Sequence, residues 1–184
     1  MKDIPSFLWE TSKIIVLALI IVVPLRLFLF QPFIVRGSSM EPNFHSGDYL
    51  IIDEISYRFS ETKRGEVVVL KNPKDTSQRF IKRIIGLPGE TVQIEGGRVA
   101  IIREGKNQVL NESFYLSGVT YTSGNLIVSL GANEYFALGD NRPASFDSRY
   151  WGVFPRENII GKVFVRVLPI QSFIKIEVPI YLPQ

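Results

Sequence analysis

The stretch TVQIEGGRVAII, residues 91–102, shows most directly how this chain folds. β-Branched residues recur on both sides of Gly96 and Gly97, and a two-residue glycine loop between such runs is typical of a β-hairpin. A hairpin with this loop sets Glu95 opposite Arg98, so that opposite charges pair across the strands. The stretch therefore predicts two antiparallel strands joined by a tight turn.

Similar short runs of β-branched and aromatic residues continue on both sides of the hairpin, and turn-forming residues separate nearly all of them. These runs are residues 49–52, 67–70, 80–85, 125–130, 135–138 and 162–168. No segment after the N-terminal region keeps helical periodicity over three turns. We predict a mostly β fold, in which antiparallel sheets form one domain of residues 34–184 with a polar insertion near residues 103–124.

The composition excludes several classes of protein. The chain has 184 residues, no cysteine and one histidine, which excludes disulfides, thiol nucleophiles and Cys- or His-rich metal sites. Lys plus Arg number 21 and Asp plus Glu 18, and the net charge of +3 is too small for a dedicated nucleic-acid binder. We expect no metal, no other cofactor and no nucleic-acid partner.

The N-terminal region contains an apolar run. Ile14 to Phe30 reads IIVLALIIVVPLRLFLF, and Arg26 is its one charged residue. As a helix this run spans roughly 26 Å, slightly short of the ~30 Å hydrocarbon layer of a bilayer. Phe7, Leu8 and Trp9 are candidates to extend the helix, and Pro24 is a candidate for a kink or for its end. We predict a single transmembrane helix in an anchor of residues 1–33, with a cytoplasmic N-terminus and the β domain on the extracytoplasmic side. A cleaved secretory signal is the alternative, although Arg26 and the bulky residues 28–33 separate the run from the small residues of a cleavage site.

Three stretches place reactive or charged side chains beside turn-forming Gly or Pro. They are GSSMEP at 37–42, RFIKRIIGLPGE at 79–90 and GDNRPASFDSR at 139–149. A serine nucleophile needs a base, and the usual triad has only His45 to use in this chain. A lysine can act instead when its pKa falls ~2 to 3 units below ~10.4, which takes ~3 to 4 kcal/mol of desolvation.

Lys82 is the candidate lysine. Strand alternation places Phe80, Lys82 and Ile84 on one face, and Arg83 on the other. Apolar neighbours on the same face can shield the amine from water. The alternative is a solvated edge-strand lysine that discourages aggregation.

Ser39 is the candidate nucleophile, and Ser38 is its rival. Both follow the apolar run closely and lie in a Gly/Ser segment that permits close approach of another backbone. A loop serine or a helix cap is the structural alternative for either residue. His45 is more typical of a surface turn than of a general base.

The third stretch predicts a salt-bridged turn. In this interpretation Asp140 or Asp147 pairs with Arg142, Arg149 or Arg83. An acid pair of the two aspartates is the alternative, but neither lies in the Asp-Thr/Ser-Gly pattern of aspartic proteases.

Taken in order, the three stretches resemble the motifs of bacterial type I signal peptidases, which are membrane-anchored serine/lysine endopeptidases. The resemblance implies that Ser39 is the nucleophile, that Lys82 is the general base and that the Ser145 hydroxyl positions the lysine amine. It also implies that five charged residues support the site: Arg83, Asp140, Arg142, Asp147 and Arg149. The expected substrate is the signal peptide of an exported preprotein, cut after small residues in an Ala-X-Ala-like pattern beside membrane lipid.

Four positions depart from the family pattern. Glu66 and Glu90 stand where aspartate is commoner, and Asn43 stands where threonine often follows the proline. Gly37 has no hydroxyl to offer an oxyanion hole, so the backbone N–H of Ser39 takes more of that task.

Two questions stay open at this point, the function and the placement of the C-terminal residues. A membrane-tethered β domain that binds a partner without chemistry, and a self-cleaving serine/lysine regulator, are the alternative functions. The apolar C-terminal residues either pack in the core or touch lipid; they are Phe173, Ile174, Ile176 and Ile180.

Overall fold

β-Strands make up most of the regular structure in the computed structural model, which describes residues 4–24, 30–116, 118, 121–179 and 181. The strands are β1 Phe30–Ile34, β2 Tyr49–Asp53, β3 Val67–Asn72, β4 Asp75–Gly86, β5 Thr91–Glu95, β6 Arg98–Arg103, β7 Lys106–Val109, β8 Leu126–Ser129, β9 Glu134–Leu138, β10 Phe154–Pro155, β11 Ile159–Leu168 and β12 Ile174–Lys175. The helices are α1 Ile4–Pro24, α2 Ile55–Phe59 and α3 Ser148–Trp151, with short 3-10 turns at Arg142–Ala144, Arg156–Asn158 and Ile170–Ser172.

Two sheets form the β domain. The first has the strand order β1-β2-β11-β3-β4-β9-β10, with β12 paired to β11, and the second has the order β7-β6-β5-β8. The strand pairs are antiparallel in both sheets. The predicted fold class, mostly β with antiparallel sheets, is therefore confirmed.

The predicted hairpin is present as β5 and β6. Glu95 pairs with Arg98 in the register, and the loop residues Gly96 and Gly97 have φ angles of +57° and +81°. Two successive positive φ angles are what a tight hairpin turn of this hand requires, and glycine adopts them without strain. Part of the region predicted as an insertion is also ordered, because β7 pairs with β6.

The N-terminal helix differs from the prediction in its bounds. The predicted helix ran from Ile14 to Phe30, whereas α1 begins at Ile4 and ends at Pro24. Phe30 was wrongly placed in the helix, because it begins β1, whose backbone pairs with β2 along its whole length. β1 also crosses the predicted domain boundary after residue 33. Arg26 lies outside the described residues, and no helix in the described part of the chain combines the length and apolarity needed to cross a membrane.

Three buried clusters form the core. The first contains Met40 and Phe44 with apolar residues of β2, β3 and β11. The second is rich in aromatic residues and includes Trp151. The third joins the two sheets, because Val92 of β5 packs with Phe136 of β9. The segment around Met40 is thereby fixed to the first sheet.

The C-terminal apolar residues have different surroundings. Ile176 packs against the first cluster, whereas Phe173 and Ile174 are exposed. Ile180 lies outside the described residues.

β4 carries the candidate lysine through the middle of the first sheet. Its first half is exposed, but residues 81–86 are buried on both faces. Lys82 and Arg83 are neighbours in the chain and point to opposite faces, so each enters a different buried environment.

Candidate active site

Lys82 and Ser39 are in direct contact. The Nζ atom of Lys82 donates a hydrogen bond of 2.7 Å to Oγ of Ser39 and one of 2.9 Å to the backbone carbonyl of Ile81. The two side chains come from positions 43 residues apart in the sequence. The structure therefore brings the predicted nucleophile and the predicted base within reach of a proton transfer.

Burial changes the chemistry of the Lys82 amine. The side chain is 3% exposed, and Nζ lies 5.4 Å from the centre of the Phe80 ring. Burial lowers the pKa of Lys82 from 10.5 to about 8, although the charges of Asp147 and Asp140 oppose the change. The amine is thus more readily neutral than an ordinary lysine.

The third motif holds the backbone of Ser39, the predicted nucleophile. The N–H of Asn141 donates to the carbonyl of Ser39 at 3.0 Å, and its side-chain amide donates to the carbonyl of Ser38 at 3.0 Å. The N–H of Asp140 contacts Sδ of Met40 at 3.5 Å. These contacts fix the direction in which the Ser39 side chain leaves the backbone.

Gly139 is required where the first and third motifs meet. A Cβ atom at this position would overlap the carbonyl oxygen of Ser39 and the hydroxyl of Ser145. Only glycine therefore allows the loop after β9 to approach the nucleophile this closely.

Arg83 and Asp140 form a buried ion pair beneath the site. The guanidinium donates to both carboxylate oxygens, at 2.8 and 2.6 Å, and a third donor reaches the carbonyl of Gly65 at 2.8 Å. The Tyr115 ring lies 4.0 Å from the guanidinium carbon. Tyr181 donates to the Tyr115 hydroxyl at 3.0 Å, so the C-terminal segment also packs around this pair.

Asp147 pairs with Arg149, which is one of the predicted combinations. The carboxylate accepts from Nε and a terminal nitrogen of Arg149, both at 2.8 Å, and from the N–H of Gly139 at 3.1 Å. The two aspartates of the motif are thus held by different arginines, and they do not form an acid pair.

Arg142 has a partner that the sequence analysis missed. Both terminal nitrogens of its buried guanidinium bind the Glu112 carboxylate, and one also donates to the hydroxyl of Thr122. Arg142 therefore pairs with neither of the predicted aspartates. Glu112 and Thr122 lie in the polar insertion, where no strand periodicity or motif marks them.

The Ser145 hydroxyl is buried and has no hydrogen-bond partner in the described part of the chain. Its side chain lies against Gly139, next to the Ser39 backbone. The contact with the lysine amine that the resemblance implied is therefore not formed in this arrangement.

The remaining candidates form no contact with the Lys82 amine within the described residues. Ser38 is exposed, and Lys82 contacts Ser39 instead. His45 is exposed, and its backbone N–H donates to Asp48 at 3.0 Å. Among the residues described, no three His, Cys, Asp or Glu side chains are grouped to hold a metal ion.

A family model described as "Signal peptidase, peptidase S26" matches residues 8–168, which include all three motif stretches. The chain belongs to this signal peptidase family. The predicted resemblance is therefore confirmed, and the protein is a serine endopeptidase of the signal peptidase I type.

Three relatives illustrate the family relationship. A probable signal peptidase I-2 of Synechocystis sp. is 39% identical, with 90% of this chain and 76% of that protein covered. A signal peptidase I of Leptolyngbya laminosa is 39% identical, with 90% and 82% covered. Signal peptidase I T of Bacillus subtilis is 37% identical, with 83% and 81% covered.

Three of the departures from the signal peptidase pattern have structural roles. Asn43 donates to Asp140 at 2.8 Å, Glu66 accepts from the N–H of Lys63 at 3.0 Å, and Glu90 pairs with Arg64 at 2.6 Å. Gly37 has a φ of +87°, a backbone conformation that favours glycine.

A cleft of about 450 Å³ opens beside the dyad. Residues 32–34 of β1 and residues 79–82 of β4 line it, together with Arg36, Ser39 and Ser77. β1 pairs with β2 alone, and residues 79–82 pair only with β3, within the described residues. Two open strand edges therefore border the cleft of this signal peptidase.

Proposed function

We propose that this protein is a membrane-anchored signal peptidase that removes signal peptides from exported preproteins by acyl transfer, with Ser39 as nucleophile and Lys82 as general base. The observation that carries the proposal is the 2.7 Å contact between Ser39 Oγ and the buried amine of Lys82. The family to which the chain belongs is named for this activity.

The reaction proceeds in two steps. Neutral Lys82 takes the proton of Ser39 as Oγ attacks the carbonyl carbon of the scissile peptide bond, and the protonated amine then gives that proton to the leaving amino group. A water molecule activated by the same amine hydrolyses the acyl-enzyme and frees Ser39. The short distance between Nζ and Oγ supports both proton transfers.

The lowered pKa sets the fraction of enzyme molecules in which Lys82 is neutral and can accept a proton. With a pKa of about 8, about one lysine in ten is neutral at pH 7, whereas at 10.5 the fraction is about one in three thousand. The change raises the reactive fraction roughly 300-fold, so burial of Lys82 contributes directly to the rate.

The negative oxygen of the tetrahedral intermediate needs donors. The backbone N–H of Ser39 has no acceptor within the described residues, and Gly37 brings no hydroxyl to this position. We assign the oxyanion to this N–H, which is held in place because Asn141 fixes the Ser39 carbonyl.

The substrate lies in the cleft as an extended strand. The open edges of β1 and β4 offer backbone donors and acceptors to a peptide placed between them. Phe33, Phe80 and Ile81 line the cleft together with Ser39 and make part of its wall apolar. Small apolar residues such as alanine before the cut suit this lining.

Five charged residues hold the catalytic loop rather than react with substrate. They are Arg83, Asp140, Arg142, Asp147 and Arg149, each of which is in an ion pair beneath or beside the dyad. Ser145 lies in the same loop, and its buried hydroxyl packs against Gly139 beside the Ser39 backbone.

The N-terminal segment anchors the enzyme in the membrane, with the β domain on the extracytoplasmic side. The apolar side chains of α1 between Phe7 and Ile20 are exposed, and the sequence from Ile14 to Leu25 has no charge. Flotation of the full chain with lipid vesicles tests this part, and a Leu17→Asp/Ile20→Asp variant that still floats would contradict it.

Cleavage of a preprotein by matched variants tests the chemistry. Ser39→Ala and Lys82→Ala should each lower kcat/KM by at least about 1,000-fold, whereas Ser38→Ala should retain activity. Folding of each variant is checked by circular dichroism. Full cleavage by both Ser39→Ala and Lys82→Ala would discard the dyad. Absence of cleavage by the wild type would leave a binding domain, and cleavage of its own chain alone would favour a self-cleaving regulator.

A further inference from the structure

The charged residues that line the cleft beside the dyad are all basic. Arg36 and Arg79 line it with exposed side chains, and neither forms an ion pair or hydrogen bond with the described part of the chain. None of the residues that line the cleft is Asp or Glu. The opening above Ser39 is therefore electropositive.

The arginines in the cleft differ from those around it. Arg83, Arg149 and Arg64 are each paired with a carboxylate. Arg79, in contrast, lies directly opposite the exposed Lys71 in the register of β3 and β4. Like charges placed opposite each other across strands are destabilising. Glu54 and Glu157 line a neighbouring cavity together with Lys71 and Arg79, but neither forms an ion pair with Arg79 within the described residues.

We propose that Arg36 and Arg79 recognise an acidic side chain of the preprotein within a few residues of the scissile bond. The inference rests on the proposed function, because it takes the cleft as the place where the substrate strand lies. Side chains of an extended peptide alternate between its two faces. One residue can thus reach the arginines at the rim while its neighbours enter the apolar part of the cleft.

Arginine is suited to this task, because its planar guanidinium binds a carboxylate through two parallel hydrogen bonds. Both side chains are exposed, so water and salt weaken the attraction. We expect a preference of about two- to threefold from each arginine, as for one charge pair near a protein surface, and about five- to tenfold from the two together.

The experiment compares peptides that differ at a single position. The full chain in detergent is given a series of peptides that keep both Ala residues of the Ala-X-Ala pattern and carry Asp, Asn or Lys at X or at one of the three residues after the cut. At one or more positions the Asp peptide should have a kcat/KM about five- to tenfold above the Asn peptide, and the Lys peptide should fall below it. Equal values for Asp, Asn and Lys at every position would overturn the inference.

Charge reversal provides the matched test. Arg36→Glu/Arg79→Glu should invert the order, so that the Lys peptide is cleaved faster than the Asp peptide. Lys106→Glu is the control, because Lys106 is exposed on β7 of the second sheet and does not line the cleft. This control should keep the preference for Asp, and loss of the preference in Lys106→Glu would show that net charge alone is responsible.

Two further outcomes separate the explanations. If the double variant loses activity on vesicles containing phosphatidylglycerol but keeps the order Asp above Lys in detergent, the arginines bind lipid and the inference is wrong. If Ser39→Ala cleaves the peptides as well as the wild type does, the proposed function fails. Equal cleavage of all peptides by the wild type alone overturns only the charge preference.

Discussion

Arg83 and Asp140 are 57 positions apart in the sequence and form a two-point ion pair, in which both carboxylate oxygens accept from the guanidinium. Arg83 directly follows the lysine of the dyad, and Asp140 directly precedes Asn141, which holds the backbone of Ser39. The pair therefore ties the strand of Lys82 to the loop that holds Ser39.

Removal of Asp140 should destabilise the protein strongly. Asp140→Asn leaves the buried Arg83 charge without its carboxylate, and the free energy of unfolding should fall by about 3 to 5 kcal/mol. Urea denaturation measures the change. Arg103→Ala is the control, because the Arg103–Glu104 pair is exposed and its loss should change the stability by less than about 0.5 kcal/mol. Equal losses in both variants would contradict the role assigned to the buried pair.

Ser145→Ala separates a catalytic role from a structural one. The hydroxyl is buried without a partner in the described residues, so its removal should leave the melting temperature unchanged or slightly higher. If the hydroxyl positions the Lys82 amine during the reaction, kcat should fall by about 10- to 100-fold while KM changes little. An unchanged kcat in the stable variant would show that Ser145 has no part in catalysis.

Phe146 should influence the amine through Phe80. Its ring, 53% exposed, meets the Phe80 ring edge to face at 6.3 Å, and Phe80 covers the Lys82 amine. Phe146→Ala should admit water and raise the pKa of Lys82, so kcat/KM should fall at pH 7 and recover at high pH. Tyr150→Ala is the control and should leave the pH profile unchanged. It removes an exposed ring that stacks on Phe146. A pH profile unchanged by Phe146→Ala would refute this link.

The lowered pKa also predicts how stability depends on pH. Below about pH 8 the Lys82 amine is charged in both the folded and the unfolded protein, so burying the charge lowers the unfolding free energy by its full amount. Between about pH 8 and 10.5 the folded protein loses the proton first, so the unfolding free energy rises. Lys82→Met has no amine to titrate, so it should be more stable than the wild type at pH 7. The difference in unfolding free energy should shrink by ~3 kcal/mol between about pH 8 and 10.5. Urea denaturation of both proteins at matched pH values checks it, and a constant difference would argue against a buried, titrating amine.

Local signals marked Ser39 and Lys82 only as candidates, and the resemblance to signal peptidases was needed to predict their roles. Ser39 lies in a Gly/Ser segment, and strand alternation separates Lys82 from Arg83 and gives the two cations different surroundings. The hairpin at Gly96 and Gly97 was predictable, since its turn chemistry permits few other structures.

Other parts of the site had no local signal. Glu112 binds Arg142 from a polar loop, and only the tertiary fold brings these two residues together. Phe30 was assigned to the helix because an apolar run alone does not distinguish a helix from a buried strand, and the pairing of β1 with β2 decides it. Burial of both faces of β4 likewise depends on tertiary packing, which the sequence pattern of the strand does not indicate.

The most direct test is the dependence of kcat/KM on pH for cleavage of a preprotein peptide. A neutral Lys82 within hydrogen-bond distance of Ser39 predicts a tenfold rise per pH unit at low pH, which levels off through an apparent pKa of about 8. A rate that is independent of pH between 6 and 10, or that rises only near the ordinary lysine value of 10.5, would contradict the account.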